Sequence, residues 1–455
     1  MMNYFKPSST VAIQLDNNQF WLQIDKILME NNVVIIPVPH FFSVNQIIHM
    51  TNSAGIGTVI CNRKAQTLWT NLGFEEPFYL TKDIVIMTRK LKSQIRFPKK
   101  THKVTFTSGT TGEPKGVCLS EEHLRKVGQS LAEVTSKFNV KKHLCVLPLS
   151  ILLENVAANY AAEYAGIEVI TVPMSELGMN GSGSLDIEKF INALVQYQAQ
   201  SIIVMPQMLK MMIAYLQQNQ TDVSFLRFIA VGGAVCSKGL LEQAKELGLP
   251  VYEGYGISEC GSVISLNTDD SETGHVGKIL PHINVRIAED GEIQTQGASY
   301  LGYLGEEKNS DEWFSTGDIG RFDEHHNLHI IGRKKNVIIN SFGRNISPDW
   351  IEAELTAIPG IMQAVVYGDS EPFLTAICVT THSLQSLQER IEQFNQNFPD
   401  YAQIKQIILA DEPFSISNNM LTSSGKSKHQ QIFKTYTKQL QDIYAVTTET
   451  RNYAV

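Results

Sequence analysis

"SIIVMPQMLKMMIAYLQQNQTDVSFLRFIAVGGAVCSKGLLEQAKEL", residues 201–247, changes its texture four times. The apolar run 201–206 reads as a strand, 207–218 as a helix, 226–233 as a second strand ending in glycines, and 237–247 as a second helix. Short apolar runs alternating with helices predict a mostly parallel sheet covered by helices, because its strands are buried on both faces. Ligands of such sheets bind beyond the carboxyl ends of the strands. The glycines after 231 therefore mark a candidate site.

The same alternation extends upstream. Ser120 followed by Glu121 and Glu122 reads as a helix N-cap with an acidic first turn. Leu124, Val127, Leu131, Val134 and Phe138 then recur at steps of three and four, one buried helix face. "HLCVLPL" (143–149) and "IEVITVP" (167–173) read as strands around a helical stretch from Glu154, and Asp186 opens a helix carrying Phe190, Ile191 and Leu194. From about residue 275 the texture turns to short strands, "INVRIAEDGEIQTQG" and "FDEHHNLHIIGRKKNVII". "SPDWIEAEL" (347–355) then opens a helix with a Ser cap and Pro348 at its first position. "AVVYG", "FLTAICVT" and "IKQIILA" read as strands around a helix over 383–398. The expected fold class is α/β: a large N-terminal domain of helix-covered sheets with a small β-rich subdomain (1–333), then a small mobile α+β C-terminal domain (334–455).

At 455 residues two or three domains are expected. A balance of 38 basic and 46 acidic residues, with no concentrated basic tract, argues against a nucleic-acid partner. The six cysteines are scattered without a C-x-x-C pair, as in reduced core thiols rather than a disulfide frame or zinc site. No apolar signal segment is read at the start, and the 201–216 region is broken by Gln207 and Lys210 and too short for a bilayer. A cytoplasmic protein without a transmembrane segment is the expectation.

A second stretch carries chemistry. "TFTSGTTGEPKGVCLS" (105–120) gathers Ser and Thr hydroxyls, three glycines and Lys115. Glycines allow close backbone approach, successive N–H groups form an anion nest, and the lysine supplies a mobile charge. A polyphosphate is the natural guest. It is not a Walker A loop, since Gly116 stands where Ser or Thr should close one, and "SSGKS" (423–427) has Met420 where its first glycine should be. No G-x-G-x-x-G follows a strand.

"FTSGTTGEPKGV" (106–117), "VGGAV" (231–235), "YEGYGISECG" (252–261), "STGD" (315–318), "GRKKNVI" (332–338), "SFGRNISP" (341–348) and "LTSSGK" (421–426) occur in one order. In that order and spacing the chain resembles the AMP-forming acyl-CoA synthetases, within the adenylate-forming superfamily, from about residue 35 to 430. The resemblance implies ATP, Mg²⁺ and CoA (or the phosphopantetheine of an acyl carrier protein) as cofactors, and a carboxylic acid as substrate. It also implies roles for residues. Thr107, Ser108, Gly109, Thr110, Thr111, Gly112 and Lys115 belong to the loop holding the β- and γ-phosphates. Gly233 and Ala234 form a wall against adenine, with Gly254, Tyr255, Gly256 and Ser258 in the segment whose aromatic stacks on it. Glu259 with Thr107 corresponds to the Mg²⁺ site, Asp318 and Arg333 to the ribose contacts, and Lys426 to the lysine that steadies charge at the α-phosphate. Lys335 occupies the hinge position about which the small domain rotates. Lys426, Glu259 and Lys115 are the implied catalytic set.

Taken singly, each residue has a plainer reading: Asp318 in a turn, Glu259 and Lys426 as solvated charges, Tyr255 as core. "HHNLH" (325–329) reads as a polar turn rather than a metal site. Three departures stand out. The phosphate loop begins roughly fifty residues earlier than the pattern, implying a shortened N-terminal part; Ile151 replaces the usual His or aromatic of the acyl entrance; and His429 stands where Arg commonly follows the lysine. "EGYG" and "SFGRNISP" resemble medium- or long-chain fatty acyl enzymes, and the Met-rich stretch 205–212 suits an adaptable acyl pocket. Two other readings stay open: a ligase loading an acyl carrier protein, and a non-catalytic nucleotide-binding scaffold.

Overall fold

The computed structural model describes residues 9–91, 95–107, 114–180, 184–269, 272–297, 299–306, 312–341, 344–422 and 425–451. Two large sheets form the N-terminal part. In the first, of eight strands, Thr101–Thr107, Val34–Pro37, Thr10–Gln14 and Thr58–Asn62 are neighbours running parallel. Ile84–Thr88 and Glu75–Tyr79 extend it antiparallel at one edge, Lys115–Ser120 and Gly302–Tyr303 at the other. The second sheet has seven strands, with Val251–Tyr255, Phe228–Val231, Ser201–Val204, Lys142–Leu144 and Glu168–Ile170 parallel.

The helices start where short polar side chains can accept from free backbone N–H groups. Ser120 accepts from the N–H of His123, Asp186 from Lys189, Ser237 from Leu240 and Ser347 from Trp350. Each helix turns an apolar face to a sheet: Leu209, Met212, Leu240 and Ala244 join Ile202, Val204 and Ile229 in one core.

One reading needs correction in detail. The segment 143–149 is strand only over Lys142–Leu144. Beyond it side chains take the backbone donors a ladder would use: Leu147 N–H goes to Glu154 Oε2 and Leu149 N–H to Asn17 Oδ1. The polyphosphate stretch is flanked by two strands, Thr101–Thr107 and Lys115–Ser120. Its flanks pair antiparallel, with Thr107 opposite Lys115, and the helix begins only after Ser120.

A four-stranded antiparallel sheet follows, Ile283–Ile287, Glu292–Gly297, Phe314–Phe322 and Leu328–Arg333. Its last hairpin contains "HHNLH", where Asp323 accepts from the N–H groups of His325 and Asn327 and from the ring of His329. That is a polar turn. The smaller C-terminal domain is built on three strands, Ile361–Tyr367, Leu374–Thr380 and Ile404–Leu409, packed with helices Pro348–Ala357 and Leu384–Asn395.

All six cysteines are buried and none forms a disulfide. Among the described residues no helix is long and apolar enough to cross a membrane.

Candidate functional site

One large cleft of about 4100 Å³ runs between the sheets and the C-terminal domain. Thr107, Lys115, Gly233, Ala234, Gly254, Tyr255, Gly256, Ser258, Glu259, Asp318, Arg333 and Lys426 all line it, as does Lys335. Every described residue expected at the site is therefore gathered in one place. Ser108, Gly109, Thr110, Thr111 and Gly112 lie outside the described residues.

The residues approach the cleft from separate elements. Gly233 and Ala234 follow the parallel strand Phe228–Val231, and Tyr255 ends the neighbouring strand Val251–Tyr255. Gly256 allows the next turn: a Cβ there would overlap the carbonyl of Ser262. Glu259 follows in the short helix Ser258–Cys260.

Two polar groups stand out. In the first, Asp318 and Arg333 face each other across paired strands, and Arg333 Nε lies 2.9 Å from Asp318 Oδ1. The Tyr255 hydroxyl donates to Asp318 Oδ2 at 2.6 Å, and a second Arg333 nitrogen donates to the carbonyl of Thr316. Burial raises the pKa of Asp318, and Arg333 opposes that shift. In the second group, the Tyr303 hydroxyl donates to Glu259 Oε1 at 2.9 Å, while the Lys115 ammonium lies 5.3 Å from the centre of the Tyr303 ring. Tyr303 is not among the residues expected from sequence. It sits on a two-residue strand pairing with Lys115–Ser120, and no local pattern announces it.

Lys426 comes from the C-terminal domain yet faces the first group. Loss of hydration among the cleft walls lowers its pKa first and Arg333 lowers it further, while Asp349 and Asp318 favour the charged form. A carboxylate, a guanidinium and an ammonium thus share one end of the cleft, and a carboxylate with a cation over an aromatic ring lies along its wall. Such a set suits a bound anion with a diol.

Two other clusters are internally satisfied. His143 bonds Ser201 and Glu154 at 2.9 and 2.8 Å, and His429 bonds Glu352 at 2.8 Å.

Residues 4–305 match the family model for AMP-binding enzymes, and residues 335–448 match the AMP-binding enzyme C-terminal domain. The chain belongs to the AMP-binding enzyme family. Among curated members, it is 28% identical over 330 residues to a long-chain-fatty-acid–CoA ligase of Mycobacterium bovis, covering 60% of this chain and 53% of that protein. It is 32% identical over 290 residues to a 2-succinylbenzoate–CoA ligase of Listeria innocua, covering 60% and 57%. The chain thus matches about half the length of these relatives. Among solved family structures, the o-succinylbenzoate CoA synthetase of Bacillus subtilis, in complex with its acyl-adenylate intermediate, superposes with a TM-score of 0.73 at 19% identity, over 95% of this chain and 89% of that one. At that identity the likeness speaks for the fold.

Proposed function

We propose that this protein is an AMP-forming acid–thiol ligase. In the first half-reaction a carboxylate oxygen attacks the α-phosphorus of ATP and the bond to pyrophosphate breaks. The resulting acyl-adenylate carries AMP as a leaving group, which the free acid lacks. In the second, a pantetheine thiolate attacks the acyl carbon and AMP departs.

The observation that carries this reading is the meeting of Lys426 with Asp318 and Arg333 in a cleft that also holds Tyr255, Glu259 and Lys115. In it, Asp318 accepts the ribose hydroxyls, Arg333 orients Asp318, and Tyr255 covers the adenine against Gly233 and Ala234. Lys426 offsets the negative charge that builds between the carboxylate and the α-phosphate. Glu259 and Thr107 are hard oxygen donors on the same cleft, a set that fits Mg²⁺, whose chemistry there is to shield phosphate charge. Lys115 reaches the outer phosphates. Residues 1–333 then form the nucleotide-binding part and 334–455 the part that carries Lys426, turning about Lys335 between half-reactions.

For the acid we infer a medium- or long-chain fatty acid with CoA as acceptor. Support comes from an apolar stretch of the cleft lined by Met205, Met208, Met211 and Ile151. An aromatic acid is the second reading, since 2-succinylbenzoate–CoA ligases are among the relatives. Pyrophosphate release across fatty, aromatic and amino acids, each with CoA or an acyl carrier protein, tests both. Release with chains of eight or more carbons and thioester on CoA supports the first, and release with aryl acids alone replaces it. No release with any acid overturns the ligase reading in favour of a nucleotide-binding scaffold.

A further inference from the structure

The lysine of the cleft is tied to the large domain by a traceable set of contacts. Lys426 sits in a tight hairpin in which Leu421 bridges to Ser427, Thr422 N–H donates to the Lys426 carbonyl, and Lys426 N–H donates to Thr422 Oγ1 at 3.0 Å. The chain then enters the helix His429–Thr435, whose first residue turns its Nε2 to Glu352 Oε1, 2.8 Å away. The same oxygen accepts the Val366 N–H at 2.8 Å, so Glu352 is fixed from two sides.

Glu352 belongs to the helix Pro348–Ala357, which grips the large domain at three points. Glu354 accepts from the Lys238 N–H at 2.8 Å, at the N-terminus of the helix Lys238–Glu246. Lys210 donates to the carbonyls of Thr356 and Ile361. Gly332, beside Arg333, packs so closely on Ser347 that a Cβ would strike the Ser347 hydroxyl. A path therefore leads from Arg333 through Gly332, Ser347 and Glu352 to His429 and the Lys426 hairpin.

We propose that His429 is a positioning residue for adenylation: its ion pair with Glu352 holds Lys426 at the nucleotide end of the cleft and makes this half-reaction, but not thioester formation, sensitive to pH. The proposal rests on the ligase reading, but the ion pair can be measured without activity. The charged groups facing His429 are Glu352 and Asp349, both on the Pro348–Ala357 helix. On its own segment Lys428 turns to Asn419 Oδ1 at 2.6 Å. Burial disfavours the imidazolium, but the hydrogen bond and charge of Glu352, with Asp349 behind it, outweigh burial and raise the His429 pKa. Burial also raises the pKa of Glu352, so the ion pair is present between the titration of Glu352 and that of His429 and is lost as pH rises through the latter.

The test has two arms. In the intact protein, the His429 ring is titrated by NMR in the wild type and in Glu352→Gln. It should titrate above the usual value of about 6.5 in the wild type and move back toward it in the variant. Identical titrations overturn the pairing. In single-turnover assays, His429→Gln should slow adenylate formation roughly 10-fold to 100-fold, as expected for a misplaced catalytic group. His429→Arg, which keeps the charge, should restore the rate and abolish the fall that accompanies loss of the imidazolium, leaving only the limb from Lys426. Thioester formation from presynthesised acyl-adenylate should be unchanged in both. Matching pH profiles for wild type and His429→Arg, or equal loss of both half-reactions, overturn the positioning role. If the wild type forms no adenylate with any acid, the ligase reading and this role both fall, while the ring titration still reports on the ion pair.

Discussion

Tyr255 donates a 2.6 Å hydrogen bond from its hydroxyl to Asp318 Oδ2. With Arg333 on the other oxygen, the carboxylate is held from both sides. An ionised carboxylate has about four acceptor sites, so one remains on each oxygen, enough for a diol. Tyr255→Phe keeps the ring proposed to cover adenine but frees one side of Asp318. The expected outcome is a KM for ATP raised about 3-fold to 10-fold, matching roughly 1 kcal/mol for the lost bond, with kcat nearly unchanged. A lower kcat at constant KM would assign Tyr255 to the chemistry instead.

Lys426→Ala should divide the two half-reactions. A group that steadies charge at the α-phosphate is worth about 10²-fold or more in adenylate formation, while thioester formation from supplied acyl-adenylate should largely survive. The wild-type profile carries the same signature. Burial and Arg333 lower the Lys426 pKa below its usual 10.5, so its charge, present at lower pH, is lost earlier as pH rises. Adenylation should therefore decline on the alkaline side before a free lysine titrates. Equal losses in both half-reactions would remove the division of labour.

Much of this architecture was legible because the signals are local. Ser120, Asp186 and Ser347 announce their helices, since a cap needs only a side-chain oxygen three residues from the N–H it accepts. The parallel strands around 201–231 show as short apolar runs between amphipathic helices. The first ninety residues yielded no elements, although they supply five of the eight strands of the first sheet. "TVAIQ", "VIIP" and "TVICN" are central strands without alternation, too short to distinguish from any buried segment. The contact of Tyr303 with Glu259 spans 44 positions and two elements, so no periodicity predicts it. The buried pair of Lys103 with Asp25, 2.8 Å apart across 78 positions, is equally silent in sequence.

Glu253 gives a pH-dependent stability. It is buried on the strand Val251–Tyr255 beside the cleft, and burial, with Glu354 adding repulsion, raises its pKa to about 8. A carboxyl whose folded pKa is raised holds its proton in the native state after the unfolded chain has released it. Stability therefore declines as pH rises from the ordinary carboxylate range through about 8. Glu253→Gln should melt higher than the wild type at pH 9 and show little gain at pH 5. Parallel melting curves for the two proteins across that range would mean that Glu253 is already ionised in the fold.

Tyr303 joins the two residues assigned to the phosphates and the metal. Burial, reinforced by Glu259, pushes its phenol far above the ordinary range, so it remains a donor to Glu259 at any working pH. Its ring lies against the Lys115 ammonium, an attraction of about 0.5–1 kcal/mol at an exposed site. The two contacts can be separated by substitution. Tyr303→Phe removes only the hydroxyl, so Glu259 loses its orientation, and the Mg²⁺ concentration for half-maximal activity should rise, as it should more strongly in Glu259→Gln. Tyr303→Leu also removes the ring face, so it should add a loss of ATP affinity resembling that of Lys115→Ala. A non-hydrolysable acyl-adenylate mimic has no β- or γ-phosphate, so its affinity should be nearly the same in all four variants. Isothermal titration of Mg²⁺-ATP and of the mimic measures both effects. Equal weakening of the two ligands would mean that Lys115 and Tyr303 serve the adenylate rather than the outer phosphates. An unchanged metal requirement in Tyr303→Phe and Glu259→Gln would leave Glu259 with a structural role only.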